Sequence, residues 1–193
     1  MEIARIDAEN PSQEILEEAA ACIVGGKVVV CPTDTGYAFS ANGLDELAVG
    51  RVFKLKGRDF ANPMHVAVEN ITAAEKYAEI SGLAHQLAER YLPGALTMVF
   101  NKKAIVPSCL VAGKSTLGIR VPASEFILRL CRLTCLPITT TSANLSSLST
   151  PFSAEEALKS LKPSEADVPL VVDGGEISPR EVSTIIDMTV TPP

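Results

Sequence analysis

Strand-like and helix-like patterns alternate along this chain, and the alternation fails at one place. Residues 96–100 and 116–121 both carry short apolar, strand-like runs, yet nothing between them repeats with the 3.6-residue period of a helix. Parallel neighbours in a sheet need a crossover, usually helical, so the missing helix breaks a purely parallel order. The pattern predicts an α/β fold: a mixed parallel and antiparallel sheet with helices packed around it.

The remaining elements are marked by their ends. Asn10 as N-cap and Pro11 at the first helical position open a helix with Ile15, Ala19, Cys22 and Ile23 on one face, and Gly25-Gly26 stops it. Residues 27–31 then read as a buried strand ended by Pro32, with a polar loop starting at Thr33-Asp34-Thr35. A helix over residues 44–56 is predicted from Leu44, Ala48, Val52 and Leu55, with Gly57 as its C-cap. Residues 63–68 read as a strand. Thr72-x-x-Glu75 is a capping-box pattern for the next helix, and residues 83–91 form another before Pro93-Gly94. Ser124 caps a helix carrying Phe126, Ile127, Leu130 and Leu133. Residues 138–141 read as one strand, Ser153-x-x-Glu156 as a second capping box, and residues 170–172 and 183–187 as the last strands. The Ser-rich stretch 142–153 is expected to be a mobile loop.

With 193 residues, 47% of them apolar and 21% charged, the chain suits a single domain with an ample core and not a disordered segment. No apolar run approaches the roughly 18 residues of a membrane span, and residues 1–10 are polar and acidic, so the expected location is the cytoplasm, with no membrane partner. Five cysteines form no CxxC pair, and no His near Cys131 and Cys135 completes a metal set; they are expected to be buried, reduced thiols. A net charge of −6 argues against broad binding to a phosphate backbone as the main activity. It leaves room for a small basic pocket.

Two polar pairs sit where a regular element gives way to a loop: Lys56-Gly57-Arg58 and Thr141-Ser142-Ala143-Asn144. Taken alone, the first pair reads more readily as a solvated helix end, where cations favour the macrodipole. Thr33-Asp34-Thr35 is equally compatible with an ordinary turn. The run Thr139-Thr140-Thr141-Ser142 with Asn144 is harder to explain without a ligand, since hydroxyls at a strand end need partners. His65 lies in an apolar strand pattern, where a satisfied histidine is the default, and His85 lies on an exposed helix. Gly113-Lys114-Ser115-Thr116 fails as a phosphate loop, because Ser108 stands where the pattern needs Gly and a strand follows instead of a helix. Most Asp and Glu fall on helix surfaces, and no carboxylate pair or Ser-His-acid order stands out.

In order, several segments resemble the YrdC-type threonylcarbamoyl-AMP synthases. They are Val30-Cys31-Pro32-Thr33-Asp34-Thr35-Gly36-Tyr37, Arg51-Val52-Phe53-Lys54-Leu55-Lys56-Gly57-Arg58 and Leu92-Pro93-Gly94-Ala95-Leu96-Thr97. Gly118-Ile119-Arg120-Val121-Pro122, Thr141-Ser142-Ala143-Asn144-Leu145-Ser146 and Ser183-Thr184-Ile185-Ile186-Asp187 continue the match over residues 12 to 189. The resemblance implies one YrdC-like domain over residues 1–193, ending where relatives often add a strand or extension. It implies a twisted mixed sheet flanked by helices around a concave basic pocket. It also implies a reaction: L-threonine, bicarbonate and ATP give threonylcarbamoyl-AMP and pyrophosphate, and a partner enzyme passes the threonylcarbamoyl group to tRNA.

By that resemblance Lys56 and Arg58 meet phosphate and carbamate charge, and Ser142 and Asn144 meet the nucleotide, with Thr116 as a further ATP contact. Thr33, Arg120 and Ser183 hold the threonine, its carboxylate on Arg120, with His65 and Thr140 in support. Mg2+ comes with ATP, since the sequence has no carboxylate cage for it. The chain departs from the family pattern at Gly36, Ala38, Asp59, Ser147 and Val182. Gly36-Tyr37-Ala38 is similar to the YciO-like paralogues, for which a non-catalytic module binding double-stranded RNA or tRNA is the alternative. Those paralogues generally lose the Lys-x-Arg and Ser-x-Asn pairs kept by this chain. A carbamoyl-transfer domain like that of hydrogenase-maturation proteins is a third expectation, disfavoured by the lack of an appended domain.

Overall fold

A computed structural model describes residues 1–160, 167–179 and 183–193. Within them the mixed sheet divides into two of five strands each. The first contains β1 (Glu2–Arg5), β2 (Val29–Thr33), β3 (Gly36–Ser40), β8 (Thr141–Ser142) and β9 (Leu170–Asp173), in the order β1-β9-β2-β3-β8. The second contains β4 (Val66–Ala67), β5 (Leu96–Asn101), β6 (Thr116–Arg120), β7 (Ile138–Thr139) and β10 (Thr184–Asp187), in the order β10-β5-β6-β4-β7. β5 and β6, which no helix separates, are antiparallel, with Thr97 opposite Arg120 and Asn101 opposite Thr116.

The sequence reading missed β3. Every residue of β2 and β3 is buried, and the two form a hairpin turning through Asp34-Thr35. Pro32 does not end β2 but lies inside it, opposite Tyr37. The Thr33 hydroxyl donates to the Gly36 carbonyl at 2.7 Å and accepts from the Thr35 N–H at 3.1 Å, closing the turn through a side chain. Gly36 stands at φ 131, a backbone setting that favours glycine.

Residues 138–141, expected as one strand, also divide. β7 belongs to one sheet and β8 to the other, with Thr140 at the crossing. Thr139 ties the crossing down: its hydroxyl donates to the Phe39 carbonyl at 3.1 Å and accepts from the Ala41 N–H at 3.0 Å. All four residues of 138–141 are buried, so hydrophobic pattern alone could not reveal the switch.

Helix α1 (Gln13–Val24) is capped by Ser12, whose hydroxyl accepts from Ile15, and not by Asn10. Its buried face of Leu16, Ala19 and Ile23 packs with Phe126, Ile127 and Leu130 of α5 (Glu125–Thr134) over Val29, Leu170 and Val172 of the first sheet. α5 begins at Ser124 as expected. α2 (Glu46–Lys56) starts at Asp45 and ends at Gly57, which is left-handed with φ 53. The short α3 (Ile71–Ala74) is capped by Asn70, so Thr72 is inside the helix and forms no capping box. α4 (Gly82–Tyr91) follows Ser81, and Ser153 caps α6 (Ala154–Ser160), where Glu156 reaches back to the Phe152 N–H. The strand expected over 63–68 shrinks to β4: Pro63 has no N–H to give a ladder, and the Met64 N–H goes to the Leu110 carbonyl outside the sheet.

Cysteine burial is narrower than expected. Cys31 and Cys131 are buried, Cys22 and Cys109 are partly exposed, and Cys135 is exposed because it leaves α5 as a left-handed cap. All five are free thiols.

Candidate active site

The hairpin turn, the crossing at Thr140 and the open ends of β6 and β10 meet at one polar cleft. A cavity of about 290 Å³ is lined by Thr33, Thr35, Gly36, Tyr37 and Ala38 from the hairpin, and by Arg58, His65, Arg120, Thr140, Ser142, Thr150 and Ser183 among others. A second hollow of about 320 Å³ adjoins it, lined by Lys56, Arg58, Asn62, Ser142, Asn144, Ser146, Leu148 and Thr150. Arg58, Ser142 and Thr150 line both, so the two spaces form one cleft with two compartments. Of the ten residues expected in the site, nine line this cleft. Thr116 does not: it begins β6, four residues of strand away from Arg120.

The two polar pairs are one network. The left-handed cap at Gly57 sets Lys56 in the last turn of α2 and turns the chain for Arg58. Lys56 is only 3% exposed, against the expectation of an accessible helix end. Its ammonium donates to the Ser142 carbonyl at 2.6 Å and the Asn144 side-chain oxygen at 2.9 Å. The Asn144 carbonyl at 3.2 Å and the Ser142 hydroxyl at 3.3 Å complete its surroundings. Burial, reinforced by the neighbouring Arg58 charge, pulls the Lys56 pKa down to about 8. The Asn144 amide donates in turn to the Leu148 and Ser149 carbonyls, and Ser146 bonds the Lys56 carbonyl. The Ser-rich segment is thus held to the end of α2, where a free loop was expected.

Arg58 is half-buried and donates to the Pro63 carbonyl at 2.8 Å. His65 is held just before β4 against Gly118, where an added Cβ would lie 3.1 Å from the His65 Cβ. Burial first, then Arg120, lowers the His65 pKa to about 4. The ring is neutral at physiological pH. A bond with the Thr140 backbone opposes the shift and leaves Nε2 without a partner. Ser183, just before β10, shares a 2.8 Å hydrogen bond with Thr97.

Sequence reasoning missed Asp34. Its carboxylate takes the Arg120 Nη2 at 2.8 and 3.0 Å and the Ala123 N–H at 3.1 Å, while Arg120 Nη1 donates to the Thr35 hydroxyl at 3.1 Å. Both partners of this ion pair are about 5% exposed or less. Asp34 sits in a turn, where Asp is common for local reasons, so no residue pattern betrayed a partner 86 positions away.

Five buried side-chain polar atoms among the described residues have no partner, and four belong to this cavity: Arg58 Nε, His65 Nε2, Arg120 Nε and Thr140 Oγ1. Buried polar groups are nearly always bonded, to protein, water or ligand, so four orphans around one cavity make it the candidate binding site. Two are cationic donors, one is an acceptor and one is a hydroxyl. They suit a small anion that also carries hydrogen-bond donors.

Of the departures from the family pattern, Asp59 accepts from the Ala61 N–H at 2.9 Å and so closes a local turn. Ser147 is exposed. Gly36 and Ala38 line the cavity, and a Cβ on Gly36 would come within 2.5 Å of the Thr150 methyl. Val182 lies outside the described residues.

A two-sheet α/β domain with a cationic, hydroxyl-rich cleft is the class that fold and site define. The family model described as Sua5_yciO_yrdC, telomere recombination, matches residues 21–193, and this chain belongs to that family. The threonylcarbamoyl-AMP synthase of Pyrococcus abyssi is 39% identical over 176 residues, which are 91% of this chain and 51% of that protein. The chain therefore spans about half the length of that relative. The solved structure of P. abyssi Sua5 complexed with L-threonine superposes with a TM-score of 0.92 at 36% identity, covering 100% of this chain and 56% of that one. E. coli YciO gives a TM-score of 0.85 at 26% identity, covering 97% of this chain and 90% of that one.

Proposed function

We propose that this chain makes threonylcarbamoyl-AMP from L-threonine, bicarbonate and ATP, with release of pyrophosphate. The observation that carries the reading is the set of four unpartnered polar atoms around one cavity, in a chain similar to a synthase and to a protein solved with L-threonine. The carboxylate of threonine meets the Arg120 Nε–H. Its hydroxyl and amine are within the reach of the Thr140 hydroxyl, the neutral His65 ring, Thr33 and Ser183.

The neutral threonine amine attacks the carbon of CO2 and gives up a proton, or that of bicarbonate with loss of water, and either route forms the N–C bond of a carbamate. A carbamate oxygen then attacks the α-phosphorus of ATP, the bond to the β-phosphate oxygen breaks, and pyrophosphate leaves. Such a displacement needs alignment and charge neutralisation more than a protein nucleophile. Arg58, common to both compartments, faces the point where carbamate and phosphate meet. Lys56 adds its charge beneath the nucleotide compartment that Ser142 and Asn144 line. Thr116 is too far along β6 to join them in this arrangement, and an ATP contact there requires a nucleotide that extends beyond the two compartments.

The cleft does not suit a protein-held Mg2+. Its charged groups are cations, Asp34 is taken by Arg120, and the described residues hold no cluster of three or more His, Cys, Asp or Glu. The ion arrives as part of the MgATP substrate. The product is a mixed anhydride prone to hydrolysis, which calls for a cytoplasmic transferase that consumes it on tRNA. An RNA-binding module without turnover is the competing reading, suggested by the likeness to YciO. The intact Lys56–Asn144 and Arg58–Ser142 region and the net charge of −6 weigh against it.

Calorimetric titration tests the assignment. Threonine binds with 1:1 stoichiometry, and more tightly with ATP present, whereas valine, which lacks the hydroxyl, binds at least ten-fold more weakly. Equal binding of valine and threonine would remove the assignment of the hydroxyl-rich pocket.

A further inference from the structure

Among the described residues Arg120 is the arginine of the cavity that reaches across from the second sheet to the hairpin of the first, and its reach is set by a carboxylate that no substrate supplies. Asp34 takes both of its oxygens to Nη2, at 2.8 and 3.0 Å, and Thr35 takes Nη1 at 3.1 Å. The Asp34 carboxylate is itself fixed by the Ala123 N–H at 3.1 Å, and Ser124 donates to the Pro32 carbonyl beside it at 3.2 Å. The guanidinium is therefore held at both terminal nitrogens, and Nε is left buried without a partner.

We propose that Asp34 is a positioning residue for the amino-acid substrate: by occupying Nη2 it holds the Arg120 plane so that a carboxylate is received at Nε, and by balancing one charge it keeps the compartment from taking anions at random. This rests on the proposed function above. A free guanidinium would offer a two-pronged fork to any carboxylate or phosphate, the nucleotide's own phosphates included. An arginine with both terminal nitrogens already bonded within the protein leaves Nε as its one nitrogen without a partner, in a cavity whose other groups read a hydroxyl and an amine. Selectivity between the two compartments then follows from charge: Arg58 is shared, the threonine end adds only the near-neutral Asp34–Arg120 pair, and the nucleotide end adds Lys56 with no carboxylate among its lining residues.

The test compares Asp34→Asn, Thr35→Val and the wild type by calorimetry with threonine and with pyrophosphate, and by turnover. Asp34→Asn raises the threonine KM at least ten-fold while kcat and the ATP KM move less than three-fold, and pyrophosphate begins to compete with threonine. Thr35→Val, which removes one acceptor and keeps the ion pair, moves the threonine KM the same way by a smaller factor, and it serves where Asp34→Asn fails to fold. Asp34→Glu recovers part of the loss, which a purely structural role would not give. A lower threonine KM in Asp34→Asn, or equal changes for both substrates, overturns the inference while leaving the functional reading in place. A wild-type protein that binds no threonine contradicts the functional reading itself and the inference with it.

Discussion

The Lys56 ammonium and the Asn144 side-chain oxygen lie 2.9 Å apart, and each is almost wholly buried. This contact joins the end of α2 to the segment after β8, two places separated by 88 positions in the chain. Lys56 meets four protein oxygens with three protons, so its first role is to hold residues 142–149 in place. Removing it takes a charged donor from all four, although the Asn144 side-chain oxygen keeps the Ser142 hydroxyl at 2.6 Å and the Ser142 carbonyl keeps the Asn144 N–H at 2.9 Å. Lys56→Ala is expected to cost about 3 kcal/mol of stability in addition to activity. Denaturant unfolding measures this; a loss of activity with unchanged stability would restrict Lys56 to the ligand.

Lys56 titrates near 8, below an ordinary lysine, because burial and Arg58 disfavour its charge. The group is cationic below that pH and neutral above it, so affinity for ATP declines as pH rises through about 8. A bound triphosphate favours the charged form, and nucleotide binding at pH 8 takes up protons. Titrations in two buffers of different ionisation enthalpy read that uptake directly. Heats that do not depend on the buffer would contradict the assignment.

His65 gives the opposite end of the pH range. Its folded pKa of about 4 lies below the unfolded value near 6.5, so the unfolded chain binds the proton more readily between those values. Stability contributed by the neutral ring is present above about pH 6.5 and is lost as pH falls toward 4, by about 3 kcal/mol at most. Asn in place of His65 should flatten that part of the stability curve. A curve of unchanged shape would mean that another group titrates there.

The helix ends at Gly57, Ser124 and Ser153, the break in parallel order at β5–β6 and most residues of the cleft were legible in the sequence from a cap, a period or a motif, whereas the caps at Ser12 and Asn70 were not. Gly57 signalled the end of α2, and with it the position of Lys56 and Arg58. What was not legible is encoded between distant segments. The split of residues 138–141 depends on which sheet each half finds, and Thr139 looks like any strand threonine until Phe39 and Ala41 are beside it. Asp34 reads as a turn residue until Arg120 reaches it. The hairpin strand β3 was lost because Gly36, Tyr37 and Ala38 carry no alternation, being buried on both faces.

Gly118 offers a test of the packing under the cavity. A Cβ at that position would lie 3.1 Å from the His65 Cβ and 3.3 Å from the Thr97 methyl, so both must shift by a few tenths of an ångström. Gly118→Ala is expected to lower threonine affinity several-fold, with a stability loss of about 1–2 kcal/mol. Thermal unfolding and calorimetry on the same sample separate the two effects. Unchanged threonine binding would show that His65 does not contact the amino acid.

The central claim is that threonine and ATP react in this cleft. Protein incubated with labelled bicarbonate, L-threonine and MgATP should release pyrophosphate and form a labelled adenylate, in equal amounts and only when threonine is present. Pyrophosphate release that does not depend on threonine, or no labelled adenylate from a folded protein that binds both substrates, would contradict the account.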